Sequence, residues 1–329
     1  MKPRCNVKVK DGIYGYEDIG DPVLAELIEC PSIQRLKGIS MSIPQPYDKR
    51  DLQSRFTHSL GVLIVLKRLR CSLEEQVAGL LHDVSHTAFS HVVDWVFGDP
   101  QNESFQDDEF SSYIMGTEIP TILSKHDLDI RNIVDLERYS CLEQPSPNLC
   151  ADRFDYAIKE IAVFEERAKI EKILNDVSNY QGRMVFTSVE SARIFSRGYY
   201  RCNAENWDSD EGRLRYHVLG DALKRAVSLG LLKKSDFWKT DEEVLQTLNG
   251  SNDRDILDRL SLLKKGFHSI LPSHNGICLY GKFRYVDPEV LANGETRRYS
   301  GFDPIYLRDI RSALLRNRKE RRVIFEGAR

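Results

Sequence analysis

Three of the chain's eight histidines and an aspartate fall within "LHDVSHTAFSH", residues 81–91. His58 lies just upstream, so His58, His82, His86 and His91 are clustered while His126, His217, His268 and His274 are spread over the rest. Two neutral imidazoles and a carboxylate form a mixed nitrogen and oxygen donor set. Such a set suits a borderline or fairly hard divalent ion, with iron, manganese, zinc, cobalt, nickel and magnesium as the candidates. His58 opens one apolar segment, "THSLGVLIVLKRLR", and His82 and Asp83 close the next, "SLEEQVAGLLHDV". Two helices joined by a short turn pack antiparallel, which brings the start of the first beside the end of the second. His58, His82 and Asp83 are therefore candidate metal ligands. Asp152 in "NLCADRFDYAIKE" is the candidate fourth ligand, because a carboxylate behind small and apolar residues is rarely buried unless paired or metal-bound. The alternative for Asp152 is an ordinary helix cap.

His86 is one turn on from His82 if the helix continues, and His91 lies beyond "TAF". Neither has to hold the ion. Phosphate ester cleavage needs a proton donor to the leaving oxygen or a cation for developing charge, and imidazole can supply either near neutral pH.

The elements that must position these groups read as mostly helical. A short β element is expected around Asp11-Gly12, then two short helices over 21–40 broken by Pro31, then the two helices above, the second capped by Ser72 with Glu75 closing a capping box. Residues 98–112, "GDPQNESFQDDEFSS", are polar with weak periodicity and read as a loop or lid. Further helical segments follow, while "GRMVFTS" and "LYGKFRYVDPEVL" look like strands. The fold class expected is mainly α within α+β, with small β elements and a mixed C-terminal region. The expected division is a catalytic core over 1–170 and a C-terminal region over 171–329 that completes the substrate site and oligomer contacts.

Composition narrows the partners. The formal charge is −3 over 329 residues, so no global basic field draws nucleic acid or an anionic membrane. The segment 307–329 carries eight Lys and Arg against three Asp and Glu; a solvated helix face is the ordinary reading, and nucleic-acid contact the weaker one. Seven scattered cysteines with no C-x-x-C pair suit a reducing compartment. No signal-peptide run or membrane span is apparent, so a cytoplasmic or nuclear location is expected.

Taken together, "RFTHSLGV", "LLHDVSHTAFSH" and "CADRFDYA" resemble the successive H, HD and D motifs of the HD-domain metal-dependent phosphohydrolases. The form HD-x-x-H-x-x-x-x-H is similar to the branch of SAM and HD domain deoxynucleoside triphosphohydrolases and bacterial dGTP triphosphohydrolases. The resemblance implies a helical HD-domain core and metal ligation by His58, His82, Asp83 and Asp152. It implies His86 as a proton-transfer group, His91 at the scissile phosphate, and Arg55, Arg153 and Tyr156 as substrate-binding residues, the arginines holding phosphates. Where that branch has a further His-Glu pair, this chain reads Gln106-Asp107, so Asp107 is the candidate substitute. The function implied is hydrolysis of a deoxynucleoside triphosphate to deoxynucleoside and triphosphate, by a homo-oligomer. Removal of a single phosphate from a nucleoside monophosphate or small ester is the alternative enzyme reading, and a nucleotide-sensing HD-fold protein the non-enzymatic one.

Overall fold

A computed structural model describes residues 6–44, 47, 53–317 and 321–327. The chain begins with a hairpin of β1 (Val7–Asp11) and β2 (Gly15–Ile19), paired from Val7 opposite Ile19 to Asp11 opposite Gly15. Its turn is set by Asp11, whose Oδ1 accepts from the amides of Ile13 and Tyr14 at 2.7 and 3.0 Å. The connection is thus three residues long rather than an Asp-Gly pair.

Helices α1 (Pro22–Glu29) and α2 (Pro31–Arg35) break where expected, since Pro31 cannot continue α1. Next comes α3 (Arg55–Arg68), opened by a reciprocal capping box in which the Ser54 and Thr57 side chains each accept the other's amide. It is buried almost continuously from His58 to Leu66, which makes it the central helix of the fold. Helix α4 (Leu73–Leu81) is capped by Ser72 as expected, but the capping box does not close. The Glu75 Oε1 instead accepts from the amides of Cys141 and Leu142 at 2.9 and 3.1 Å, tying α4 to a distant loop.

The polar stretch read as a loop contains α5 (Phe105–Met115). Phe105, Phe110 and Ile114 face inward, and the Asp94 carboxylate accepts from the Phe105 amide at 3.0 Å. Three apolar positions among acids are too sparse to show periodicity, yet enough to seat one helical face. Short helices α6 (Ile119–Lys125) and α7 (Ile130–Ile133) lead to α8 (Ala151–Ile161) and α9 (Arg167–Asn175).

After β3 (Val177–Tyr180) and β4 (Arg183–Phe186) come α10 (Val189–Cys202), the 19-residue α11 (Asp210–Ser228), α12 (Asp241–Asn249) and α13 (Arg254–Lys265). The long strand β5 (Phe267–Leu279) pairs antiparallel with β8 (Arg321–Gly327). Between them, β6 (Glu289–Ala292) and β7 (Glu295–Arg298) join β3 and β4 in a sheet of order β3-β4-β6-β7, before α14 (Pro304–Asn317). The "LYGKFRYVDPEVL" stretch is strand only at its ends, and residues 280–288 cross between them without regular structure.

The apolar interior forms two clusters. The first surrounds α3, α4 and α8 and takes in Ile173, Phe195 and Tyr199; the second surrounds α11 to α13 and takes in Ala88, Val92 and Phe105. Both draw on chain from either side of residue 170, which lies within α9. Of the basic C-terminal segment, residues 318–320 and 328–329 lie outside the described residues; Arg308 and Arg311 project from an exposed face of α14. Among the described residues, no helix is long and apolar enough to cross a membrane.

Candidate metal centre

The start of α3 and the end of α4 meet, and the first turn of α8 comes up against both. His58 Nε2 stands 3.0 Å from Asp152 Oδ1, 3.3 Å from His82 Nε2 and 3.6 Å from Asp83 Oδ2. His82 Nε2 is 3.4 Å from Asp83 Oδ1 and 3.5 Å from Asp152 Oδ1. Asp152 is not the helix cap: its amide and that of Ala151 donate to the carbonyls of Leu142 and Cys141, and its carboxylate is left to turn toward the imidazoles.

The remaining ring nitrogens decide whether a cation fits. His58 Nδ1 meets Asp155 Oδ2 at 2.7 Å, and His82 Nδ1 meets the Gly79 carbonyl at 2.7 Å. Both partners are acceptors, so both Nδ1 atoms carry hydrogen, and each Nε2 offers its lone pair to an ion whenever its ring is neutral. Two such nitrogens 3.3 Å apart repel unless positive charge, a proton or a metal ion, lies between them. The donor atoms of His58, His82 and Asp83 lie within 4.8 Å of one another, with Asp152 Oδ1 beside both imidazoles, a spacing that suits one ion bound at roughly 2.0–2.2 Å. Burial disfavours a charged His82, yet Asp83 and Asp152 outweigh it and raise the imidazole to about 9. Burial likewise opposes charge on Asp83, but Arg55, His82 and His86 hold its carboxyl well below the usual range. The cluster is built of carboxylates that demand a cation, and a divalent ion meets that demand.

The "LHDVSHTAFSH" loop holds this geometry by surrendering its backbone groups to distant elements. The helix ends at Leu81 because the carbonyls beyond it find other donors. Gln106 Nε2 donates to the His82 carbonyl at 2.8 Å, Trp238 Nε1 to that of Ser85 at 3.2 Å, and Arg35 Nη2 to those of Val84 and His86, each at 2.8 Å. Asp241 accepts the Phe89 amide at 2.7 Å, which fixes Phe89 and Ser90 at φ 61° and 50°, a left-handed backbone rare for such residues. His86 and His91 therefore leave the helix and stack edge to face, ring centroids 5.1 Å apart. His86 Nε2 lies 3.2 Å from Asp83 Oδ1; burial, with the Arg55 charge behind it, pushes the imidazole well below its ordinary range, so it stands neutral. His91 Nδ1 lies 3.5 Å from Asp94 Oδ2.

The other expected site residues take varied places around one cavity of about 1440 Å³. Arg55 lies beneath the ligands, its guanidinium used by Asp83, Ser90 and the Met41 carbonyl. Arg153 turns to Glu143 at 2.9 Å and to the Gln144 and Asn148 carbonyls. Tyr156 stacks near His58 and shares a 2.5 Å hydrogen bond with the Tyr199 hydroxyl. Asp107 lines the cavity with its carboxyl raised by burial. Gln106 also lines it, with its amide turned to the loop: beyond the His82 carbonyl, its Nε2 donates to Ser85 Oγ at 2.9 Å. Replacing Gln106 with leucine strips the buried His82 carbonyl of this donor, Ser85 Oγ keeping the residue 106 backbone carbonyl, and is expected to destabilise the fold by about 1–3 kcal/mol. Urea unfolding reads this directly, and an unchanged midpoint would show that the amide clamps nothing.

Sequence reasoning passed over Asp155, which orients His58, and Lys159, whose Nζ donates to the same Asp155 oxygen at 2.9 Å. A signal was present: Asp152, Asp155 and Lys159 recur at three and four residue steps, so they share one face of α8.

A family model described as HD domain matches residues 55–158, the span from the first turn of α3 through the ligand turn of α8. Uncharacterized protein YdhJ of Bacillus subtilis is 36% identical across 90% of this chain and 92% of its own length. The chain belongs to the HD-domain family. Metal-dependent phosphohydrolase cns2 of Cordyceps militaris is 29% identical across 88% of this HD-domain chain and 86% of its own. Deoxynucleoside triphosphate triphosphohydrolase SAMHD1 of Bos taurus is 33% identical over a shorter stretch, 27% of this chain and 18% of that protein. The HD-domain match contains all four residues whose donor atoms converge.

Proposed function

We propose that this protein is a metal-dependent phosphohydrolase acting on nucleotides, with deoxynucleoside triphosphates as the first candidate substrates and deoxynucleoside plus triphosphate as the products. The observation that carries the reading is the convergence of His58 Nε2 and His82 Nε2 with the carboxylates of Asp83 and Asp152. A divalent ion held by these four residues supplies Lewis-acid polarisation of a phosphoryl oxygen and acidifies water for attack at phosphorus. Asp155 and the Gly79 carbonyl fix the tautomers of the two histidines. Neutral His86, 3.2 Å from Asp83, and His91, whose Nδ1 lies 3.5 Å from Asp94, are the candidate groups for exchanging a proton with the leaving oxygen. The full-length similarity to a metal-dependent phosphohydrolase supports the reaction class, and the shorter similarity to a deoxynucleoside triphosphate triphosphohydrolase supports the substrate.

A second reading, release of a single phosphate from a monophosphate, is favoured by Gln106. The side chain is spent on the backbone of the loop, so the position contributes no imidazole to the cavity. Manganese-loaded protein incubated with deoxynucleoside triphosphates and nucleoside monophosphates separates the two. Triphosphate release is the expected result; orthophosphate release from monophosphates alone favours the second reading, and absence of turnover on the whole panel sinks both.

A further inference from the structure

The cavity beside the metal ligands is lined by seven Lys and Arg side chains, and their engagements differ sharply. Arg55 and Arg153 are turned to protein acceptors as described. Lys159 is held by Asp155, Asp11 and the Thr57 carbonyl. Lys10 lies over the Tyr16 ring, away from the ligands. Arg213, buried on α11, donates to Asp208 and to the Tyr280 carbonyl. It lies so close under the next residue that a Cβ added at Gly281 would stand 0.9 Å from its Nη1. Arg213 is therefore an anchor: it seats the irregular crossing of residues 280–288 on the cavity wall, and glycine at 281 is what lets the backbone approach.

Two cations are left. Lys282 is exposed on the wall and forms no ion pair among the described residues. Arg284 ion-pairs through Nη2 with Glu103, while its Nε and Nη1 meet no protein acceptor among the described residues and are not sealed from the cavity. Its amide is fixed separately by Asn203 Oδ1 at 2.9 Å. Glu103 is itself buried at φ 54°, a backbone conformation that a glutamate keeps only where surrounding contacts hold it. Holding a strained, buried carboxylate behind a guanidinium is a way of aiming the remaining donors. Tyr156 and Tyr199 line the same cavity as Arg284, and the Tyr156 ring in turn lies 6.2 Å from that of His58. Arg284 thus lines the same cavity as His82, Asp83 and Asp152.

We propose that Lys282 and Arg284 form an anion subsite that takes the phosphate groups of a polyphosphate substrate beyond the one at the metal. The proposal rests on the phosphohydrolase reading and deepens it: it names a substrate with a chain of phosphates and moves its recognition from Arg55 and Arg153 to the 280–288 crossing. A guanidinium with two free donors and an exposed ammonium match phosphate oxygens directly.

The test is equilibrium binding of inorganic tripolyphosphate and of orthophosphate to manganese-loaded full chain, with magnesium in excess so that the polyphosphate does not strip the site. Wild type is expected to bind tripolyphosphate at least about tenfold more tightly than orthophosphate, and Lys282→Glu and Arg284→Gln each to lose about tenfold for tripolyphosphate alone. Lys282 is exposed, so its variant folds even if loss of the Glu103 partner disturbs the other. The proposal is overturned if wild type shows no preference for tripolyphosphate, or if Lys282→Glu binds it within twofold of wild type. Failure of the phosphohydrolase reading looks different: the binding preference persists while no nucleotide is turned over.

Discussion

His82→Ala is expected to empty the metal centre and to lower turnover of any phosphate ester by about three orders of magnitude, the loss that follows when several kcal/mol of metal-derived transition-state stabilisation disappear. The size follows from position. His82 Nε2 is within 3.3 to 3.5 Å of donor atoms from His58, Asp83 and Asp152, so its removal opens the set from inside rather than at an edge. The side chain is buried, and outside the ligand cluster it makes one hydrogen bond, to the Gly79 carbonyl. Elemental analysis of protein prepared without chelators, alongside turnover of the same sample, measures both effects. His126→Ala, whose imidazole pairs with Glu26 at 2.9 Å on α1, serves as a control expected to change neither. Full metal content in the His82 variant with turnover within tenfold of wild type would rule out the assignment.

The clustering of the candidate ligand residues was legible because each sits at a helix end, and the ends of neighbouring helices meet for reasons that chain pattern alone supplies. His58 follows a Ser-x-x-Thr start, His82 and Asp83 follow a long apolar run, and Asp152 opens an amphipathic helix. The apparatus that holds them was not legible, since its contacts are separated by tens to hundreds of residues. Arg35, Gln106 and Trp238 bind three stretches of one loop's carbonyls, and nothing local to Arg35 or Trp238 distinguishes them from surface or core residues. The same holds for Glu75, which satisfies a capping pattern in sequence and leaves it for the Cys141 amide in space. Gln106 is the instructive case. Similarity to a family position suggested a weakened catalytic group, whereas its amide does what an imidazole there could not do as well, donating at once to a carbonyl and a hydroxyl. Lys282 and Arg284 were hidden for another reason: their segment alternates like a strand, and only Arg213 and Gly281 reveal that it crosses the cavity instead.

Asp155→Asn tests the layer behind the ligands, where the expected loss is in affinity rather than in the donor set. Asp155 has no exposed side-chain surface, and one oxygen takes both His58 Nδ1 at 2.7 Å and Lys159 Nζ at 2.9 Å. Gly61 makes the room, since a Cβ there would lie 1.9 Å from the other carboxylate oxygen. The carboxylate keeps hydrogen on Nδ1, aims Nε2 at the metal position and makes the imidazole a stronger donor. Asparagine retains an acceptor but loses the charge, so metal affinity is expected to fall by about 10- to 100-fold, as for other partners of metal-bound histidines. Lys159 keeps Asp11 at 3.4 Å and the Thr57 carbonyl, so the stability cost is expected near the lower end of that for a broken buried pair, about 3 kcal/mol. Metal competition titration reads the first quantity and urea unfolding the second. Because all four ligands remain, saturating manganese is expected to restore most of the turnover in Asp155→Asn and none in His82→Ala. Rescue of both variants, or of neither, would mean that Asp155 does not act through the orientation and basicity of His58.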